Sequence, residues 1–173
     1  MRHLVTALAL VPWSSTLLAQ YPDKPVRLIV PWPPGGGVDI AARTVQPGLT
    51  EGLRQTLVID NRPGAGGSIG SAQAAKMPPD GYTLFLPSFS IAVNPSIFPK
   101  LPYDVLRDFA PVTLLASSPS VVTVHPSLPV KSIAELVRLA RARPGQLNYG
   151  STGTGSTSYI GAEMLKERAG INI

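Results

Sequence analysis

The sequence predicts an α/β protein, and two observations carry this prediction. Short apolar runs rich in β-branched residues alternate along the chain with stretches of helical periodicity. Glycine and proline, 16 and 19 of 173 residues, stand mainly between these runs, as is typical of strands and helices joined by shaped loops. Because 44% of the residues are hydrophobic and 14% charged, the chain can bury a core and is not of the disordered class.

Composition excludes several kinds of site. Cysteine is absent, which removes disulfides, thiolate nucleophiles and cysteine zinc sites. His3 and His125 are too few for a histidine metal cluster, so we expect neither a metal nor a cofactor. The formal net charge of +5 is mild, and no aromatic residues interleave with the late basic residues, so we expect no nucleic-acid partner.

Residues 1–19 predict a secretory signal peptide. Arg2 gives a basic start, residues 4–13 are apolar, and Ala19 precedes a polar break. A buried first helix would be interrupted by Pro12, and the apolar run is shorter than the roughly 20 residues that a membrane-spanning helix needs. We therefore expect export, with the mature chain beginning near Gln20.

Three strands are predicted in the first part of the chain, at residues 26–30, 56–60 and 82–86. After the first strand, Asp39 can cap a helix that starts at Ile40, and Pro47 should kink or shorten it. After the second, a glycine loop leads to a small-residue helix near residues 68–76. About one turn of helix is expected at residues 94–98, within an otherwise irregular segment.

Three more strands are predicted later in the chain, at residues 112–116, 121–125 and 147–149. Between them, Ser132 and Glu135 form a capping box for a helix that stops at Pro144. A last helix is expected over residues 159–168, with Gly170 as its C-terminal cap.

Two loops rich in small residues lie between a predicted strand and a helix. Residues 35–37 are glycines before Asp39, and residues 150–158 combine glycines with hydroxyls before Tyr159. Glycine lets a backbone approach a ligand, and the N–H groups at a helix N-terminus favour an anion such as a carboxylate. The residues alone leave open whether these are binding loops or ordinary turns.

Other motif matches are weaker. Residues 66–70 fit the nucleophile-elbow pattern, with Ser68 as nucleophile and His125 as the possible base, but a loop intervenes after the strand. The same region misses a dinucleotide fingerprint because Gly70 comes one place late, and the later glycine loop lacks the lysine of a phosphate loop. An exported serine hydrolase therefore stays as the rival hypothesis. Trp32 fits a pocket wall and a core position equally well.

Five segments carry a family resemblance, because they agree in order and spacing from Tyr21 to the end of the chain. They are PVRLIVPWPPGGGVDIAAR, VIDNRPGAGGSIG, PPDGYTLFL, LPYDVLRDFAPVTLLASSP and SIAELVRLARARPGQLNYGSTGTGSTSYIGAEML. Together they resemble the substrate-binding proteins of tripartite tricarboxylate transporters, the Bug family. The resemblance implies a non-enzymatic, two-lobed periplasmic binding protein of the type II-like, Venus-flytrap kind. Such a protein closes over a small organic acid and presents it to the membrane components of the transporter.

The resemblance also implies domain boundaries and a site. Residues 20–118 would form the first lobe and residues 119–173 the start of the second, which we expect to be incomplete because family members are longer. The residues expected around the ligand carboxylate are Trp32, Gly36, Gly37, Asp39, Ser88, Ser90, Ser151, Thr152, Gly153, Thr154, Gly155, Ser156, Thr157 and Tyr159. Tyr159 stands where members often have histidine, so the identity of the acid stays open. A fragment that binds nothing is the remaining alternative.

Overall fold

The computed structural model describes residues 21–173, so the predicted signal peptide at residues 1–19 lies outside the described residues. The elements are β1 (Val26–Val30), α1 (Gly37–Leu53), β2 (Leu57–Asn61), a short 3-10 helix (Ala65–Gly67), α2 (Ser68–Ala74), β3 (Thr83–Phe85), α3 (Ser90–Ile97), α4 (Ile133–Ala142) and α5 (Thr157–Ala169). In this part of the chain, no helix is both long and apolar enough to cross a membrane.

The three strands form a parallel sheet in the order β2-β1-β3. Ile29 of the central strand is in register with Asp60 on one side and Phe85 on the other. Strand β1 is buried at Val26 and at residues 28–30, as expected for the central strand of a parallel sheet covered on both faces. The α/β prediction and the first three strands are confirmed.

Parallel strands place their following loops at one edge of the sheet. The loops after β1, β2 and β3, residues 31–36, 62–67 and 86–89, therefore share the carboxyl edge. The core beneath them consists of Val26, Leu28, Val30, Ala42 and Leu57.

Helix α1 differs from its prediction at both ends. It begins at Gly37, with Gly36 as its N-cap, so Asp39 lies in the first turn and is not the cap. It also continues through Pro47 to Leu53, so the prediction that proline would shorten it is wrong. Pro47 is exposed, and water can therefore satisfy the carbonyl that loses its N–H partner. Leu53 packs against the core and favours continuation of the helix.

The strands predicted at 112–116, 121–125 and 147–149 do not form in the structure. Val112, Leu114 and Val121 are 85%, 84% and 79% exposed. Strand propensity expresses a fit to a pleated, half-buried surface, and the described residues provide no neighbouring strand at these positions. The local apolar pattern therefore predicted strands that lack a partner here.

The capping box of α4 is confirmed in part. The Ser132 hydroxyl accepts the backbone N–H of Glu135 at 3.2 Å. The Glu135 carboxylate accepts the N–H of Lys131 at 2.7 Å, one residue before the expected partner. Two backbone donors at this helix start are thus satisfied.

Helix α5 starts at Thr157, two residues before its predicted start, and its cap is confirmed. Gly170 adopts the left-handed conformation with φ of 59°, which glycine reaches without the steric cost of a Cβ. Arg141 of α4 donates to the Ala169 carbonyl through Nε at 3.1 Å and Nη2 at 2.5 Å. This contact joins the C-terminal end of α5 to α4.

Candidate functional site

The first predicted loop is held in shape by Asp39. Its Oδ2 accepts the Gly35 N–H and Arg43 Nε, each at 2.8 Å, and its Oδ1 accepts Asn61 Nδ2 at 3.0 Å. The same Asn61 amide donates to the Trp32 carbonyl at 2.9 Å. The Arg43 hydrogen bond, followed by that of Gly35, lowers the pKa of Asp39 from 3.8 to about 2. The ligand contact predicted for Asp39 stays a prediction, whereas its role in fixing the loop is visible.

Residues 64–67, here called the glycine segment, follow the edge strand β2 and lie against residues that follow β1 and β3. A Cβ on Gly67 would lie 3.3 Å from Ser90 Oγ and 3.6 Å from Trp32 Cζ2, and a Cβ on Gly66 would collide with the Thr154 carbonyl oxygen. Gly66 and Gly67 also have φ of 61° and 89°, which strongly favours glycine. The segment therefore brings Trp32, Ser90 and Thr154 to one place.

Trp32 carries an unpaired donor at this place. Its indole Nε1 is buried and has no hydrogen-bond partner among residues 21–173. Trp32 Cζ2, which would lie 3.6 Å from a Cβ on Gly67, is bonded to the same ring carbon as Nε1, so Nε1 lies close to the glycine segment. Buried donors are almost always paired in folded proteins. An acceptor from outside the described chain could pair with this N–H only after the surrounding residues move, because the atom itself is buried.

Ser90 lies against Gly67, as Trp32 does, and is paired with a second hydroxyl. Ser88 Oγ and Ser90 Oγ are 2.9 Å apart, and Ser88 Oγ accepts the Ser90 N–H at 3.3 Å. Ser90 is 2% exposed and begins α3. The structure therefore brings both predicted serines together with Trp32 at the carboxyl edge.

The second predicted loop, residues 150–158, is called the hydroxyl loop. Ser156 is the N-cap of α5 and accepts the Tyr159 N–H at 3.2 Å. Ser158 Oγ accepts the Thr152 N–H at 3.1 Å and lies 3.1 Å from Ser156 Oγ. These hydroxyls hold the loop in shape. The side chains of Thr154 and Thr157, by contrast, are exposed.

The rest of the hydroxyl loop follows the same pattern. Ser151 Oγ accepts the Gly153 N–H at 3.3 Å, and the Gly153 carbonyl accepts the Ser156 N–H at 3.0 Å. Gly153 has φ of 111° with open space around it. The loop is thus a set of tight turns that precedes the N-terminus of α5.

Sequence reasoning missed Asn94. This residue is fully buried at 0% exposure, and its Nδ2 donates to the Gly66 carbonyl at 3.3 Å. A Cβ on Gly155 would lie 2.8 Å from Asn94 Oδ1. The available signal was a polar residue inside the apolar stretch SIAVNPSI. Gly66 and Gly67 lie within a segment of the family resemblance, but neither is among the residues expected around the ligand.

The geometry does not assemble the serine hydrolase site. Ser68 is the first residue of α2, whereas His125 lies in an irregular, exposed segment. The His125 Nδ1 is paired with Ser127, whose hydroxyl lies 2.7 Å away and whose N–H donates at 3.2 Å. No hydrogen bond within residues 21–173 joins His125 to Ser68. Across the same residues, no cluster of three or more metal-ligating side chains is found.

Residues 41–173 match a protein-family model, that of the tripartite tricarboxylate transporter family receptor. BugT of Bordetella pertussis is 40% identical over 155 residues, covering 88% of this chain and 48% of the relative. A protein from the tcbD-tcbE intergenic region of a Pseudomonas species is 37% identical over 176 residues, covering 99% and 52%. The chain thus spans about half the length of these curated relatives.

Solved structures agree in fold. An R. palustris protein with adipate superposes with a TM-score of 0.80 at 38% identity, covering 88% of this chain and 52% of that one. MatC from Rhodopseudomonas palustris with bound malate gives a TM-score of 0.78 at 32% identity, with the same coverage. The periplasmic binding protein BugD gives 0.77 at 29% identity, covering 88% and 51%.

The fold and the matches define a class, that of substrate-binding receptors and not of enzymes. Within this class, the chain belongs to the tripartite tricarboxylate transporter receptor family, which includes the Bug proteins.

Proposed function

We propose that the protein is a periplasmic solute-binding protein that captures a small carboxylate for a tripartite tricarboxylate-type transporter. Its family and the adipate and malate held by related solved structures support this ligand class. The expected signal peptide at residues 1–19 would direct it to the periplasm, where the membrane components of the transporter would be its partners.

One observation carries the proposal, namely the unpaired indole N–H of Trp32. Leaving a buried donor without a partner costs about 1–3 kcal/mol. If movement of the neighbouring loops exposed Trp32 Nε1, a ligand carboxylate oxygen accepting from it would remove this cost and form a charge-assisted bond. The Ser88 and Ser90 hydroxyls, 2.9 Å apart, would add one neutral donor, because the proton of the other is used in the bond between them.

Helix α1 supplies a second set of donors. Gly37 and Val38 occupy its first positions, where backbone N–H groups have no partner within the helix. The buried Asp39 carboxylate would repel an anion if it were unpaired, but Arg43 forms an ion pair with it at 2.8 Å. In this proposal Asp39 holds the shape of the loop, and the ligand contacts at the start of α1 come from the backbone N–H groups of Gly37 and Val38, since the Gly36 N–H already donates to the Pro33 carbonyl at 3.2 Å.

The hydroxyl loop closes the proposed site from the other side. Thr154 touches the glycine segment through its carbonyl oxygen, so the N-terminal end of α5 approaches the loops of the sheet. The proposed lobes, residues 20–118 and 119–173, would hinge so that the donors of both close on the carboxylate, with residues 151–157 and Tyr159 completing the site.

A matched pair of glycine substitutions tests the proposal. A side chain at Gly37 or at Gly48 would meet open space, and neither residue has positive φ. Gly37→Leu fills the proposed site at the start of α1, whereas Gly48→Leu adds the same side chain near the middle of the helix. Calorimetric titration with adipate, malate and citrate should show binding by the unsubstituted protein and by Gly48→Leu, and its loss in Gly37→Leu. Equal affinities in all three proteins would place the ligand elsewhere.

A further inference from the structure

Asn94 makes contact with both loops that face each other at the candidate site. On α3 it is fully buried, and its Nδ2 donates to the carbonyl of Gly66 in the glycine segment at 3.3 Å. The same Nδ2 lies 3.5 Å from the Tyr103 hydroxyl. The donor half of this amide is thus engaged on the glycine-segment side.

The acceptor half of the Asn94 amide has no hydrogen-bond partner of its own within the described part of the chain. Asn94 Oδ1 is buried and has no hydrogen-bond partner among residues 21–173. The oxygen faces Gly155 of the hydroxyl loop so closely that a Cβ there would lie 2.8 Å from it. Gly155 is itself buried and has φ of 82°. The unpaired acceptor is therefore aimed at the backbone of the hydroxyl loop.

The two loops also touch directly. Gly66 packs on the Thr154 carbonyl oxygen with no room for a side chain. A small displacement of residues 153–156 would therefore also displace the glycine segment and Asn94, because close-packed contacts transmit strain. Within residues 153–156, the N–H groups of Gly153 and Ser156 already donate to Ser151 Oγ and to the Gly153 carbonyl, which leaves those of Thr154 and Gly155 as donors for Asn94 Oδ1.

We propose that Asn94 is a positioning residue for ligand binding, whose Oδ1 accepts a backbone N–H of residues 153–156 when the loops close on a carboxylate. Its amide then bridges the glycine segment and the hydroxyl loop. This inference rests on the proposed function and adds to it a specific link between the loops. Asn94 itself touches no ligand.

The test compares Asn94→Leu, which keeps the approximate volume and removes both polar groups, with Tyr103→Phe, which removes only the hydroxyl contact. Each full chain is titrated calorimetrically with adipate and malate, and hydrogen exchange of residues 151–158 is measured by mass spectrometry with and without the acid. Thermal unfolding reports the fold of each variant.

The unsubstituted protein and Tyr103→Phe should bind and should slow exchange in residues 151–158 when the acid is present. Asn94→Leu should bind about tenfold or more weakly and should lose the ligand-induced slowing. Equal affinity and equal slowing in Asn94→Leu would overturn the role of Asn94 while leaving the proposed function intact. Absence of binding by the unsubstituted protein would instead overturn both.

Asn94→Asp keeps the test decisive if Asn94→Leu does not fold. A protonated aspartic acid donates and accepts as the amide does, whereas the ionised form repels the Gly66 carbonyl. The affinity of Asn94→Asp for adipate and malate, divided by that of the unsubstituted protein, should therefore be highest at low pH and fall as pH rises. A ratio that does not change with pH would contradict the proposal.

Discussion

Asp39 Oδ2 accepts the backbone N–H of Gly35 at 2.8 Å, so a carboxylate in the first turn of α1 holds the loop that leads into its own helix. Arg43, one turn later, donates to the same oxygen at 2.8 Å. The Asp39 side chain is only 1% exposed. The loop thus gains its shape from a buried charge whose partners all lie within residues 35–61.

Asp39→Asn should destabilise the protein by about 2 kcal/mol, because charge-assisted hydrogen bonds to Gly35 and Arg43 are lost or weakened. The pKa of Asp39 is lowered from 3.8 to about 2, so its stabilising contribution is complete above pH 3.8 and is lost as pH falls toward 2. Urea unfolding at several pH values checks this. If Asp39→Asn loses stability between those pH values as steeply as the unsubstituted protein does, Asp39 is not the responsible group.

Ser156→Ala should lower the free energy of unfolding by about 1 kcal/mol, because the N-cap hydroxyl of α5 no longer accepts the Tyr159 N–H. Ser151→Ala is the control, since Ser151 is exposed and its hydroxyl accepts only the longer bond from Gly153 at 3.3 Å. Denaturant unfolding of the two variants measures the difference. A larger loss in Ser151→Ala would contradict the assignment of Ser156 as the cap.

Ser68→Ala should leave the affinity for organic acids nearly unchanged, because Ser68 begins α2 and His125 is paired with Ser127 instead. The purified protein should also show no hydrolysis of simple esters above background. Ester hydrolysis that disappears in Ser68→Ala would restore the hydrolase hypothesis.

Local sequence patterns predicted the strand and the helix caps that depend on residues close together in the chain. Strand β1 follows from a bounded run of apolar residues, and the caps at Ser132 and Gly170 follow from side-chain hydrogen bonding and left-handed conformation. The strands predicted around Val112 and Val121 are wrong because a strand needs a neighbour, which a local pattern cannot supply.

Most of the candidate site residues came from the family resemblance, and their ligand contacts stay predictions. Asn94 could not be found this way, because its importance comes from contacts with Gly66 and Gly155, far apart in the chain. The unpaired state of the Trp32 indole is likewise invisible in a sequence, where the same residue fits core and pocket equally. Such properties depend on which loops meet at the sheet edge.

The indole N–H of Trp32 offers the most direct measurement, because the proposed function makes it the ligand's donor. Nuclear magnetic resonance of the ¹⁵N-labelled full chain would follow the indole proton during titration with adipate and malate, with Trp32→Phe to assign the signal. The account predicts a saturable downfield shift of the Trp32 indole proton that parallels calorimetric binding, and weaker binding in Trp32→Phe. Calorimetric binding that leaves this proton unmoved, with full affinity in Trp32→Phe, would contradict the account.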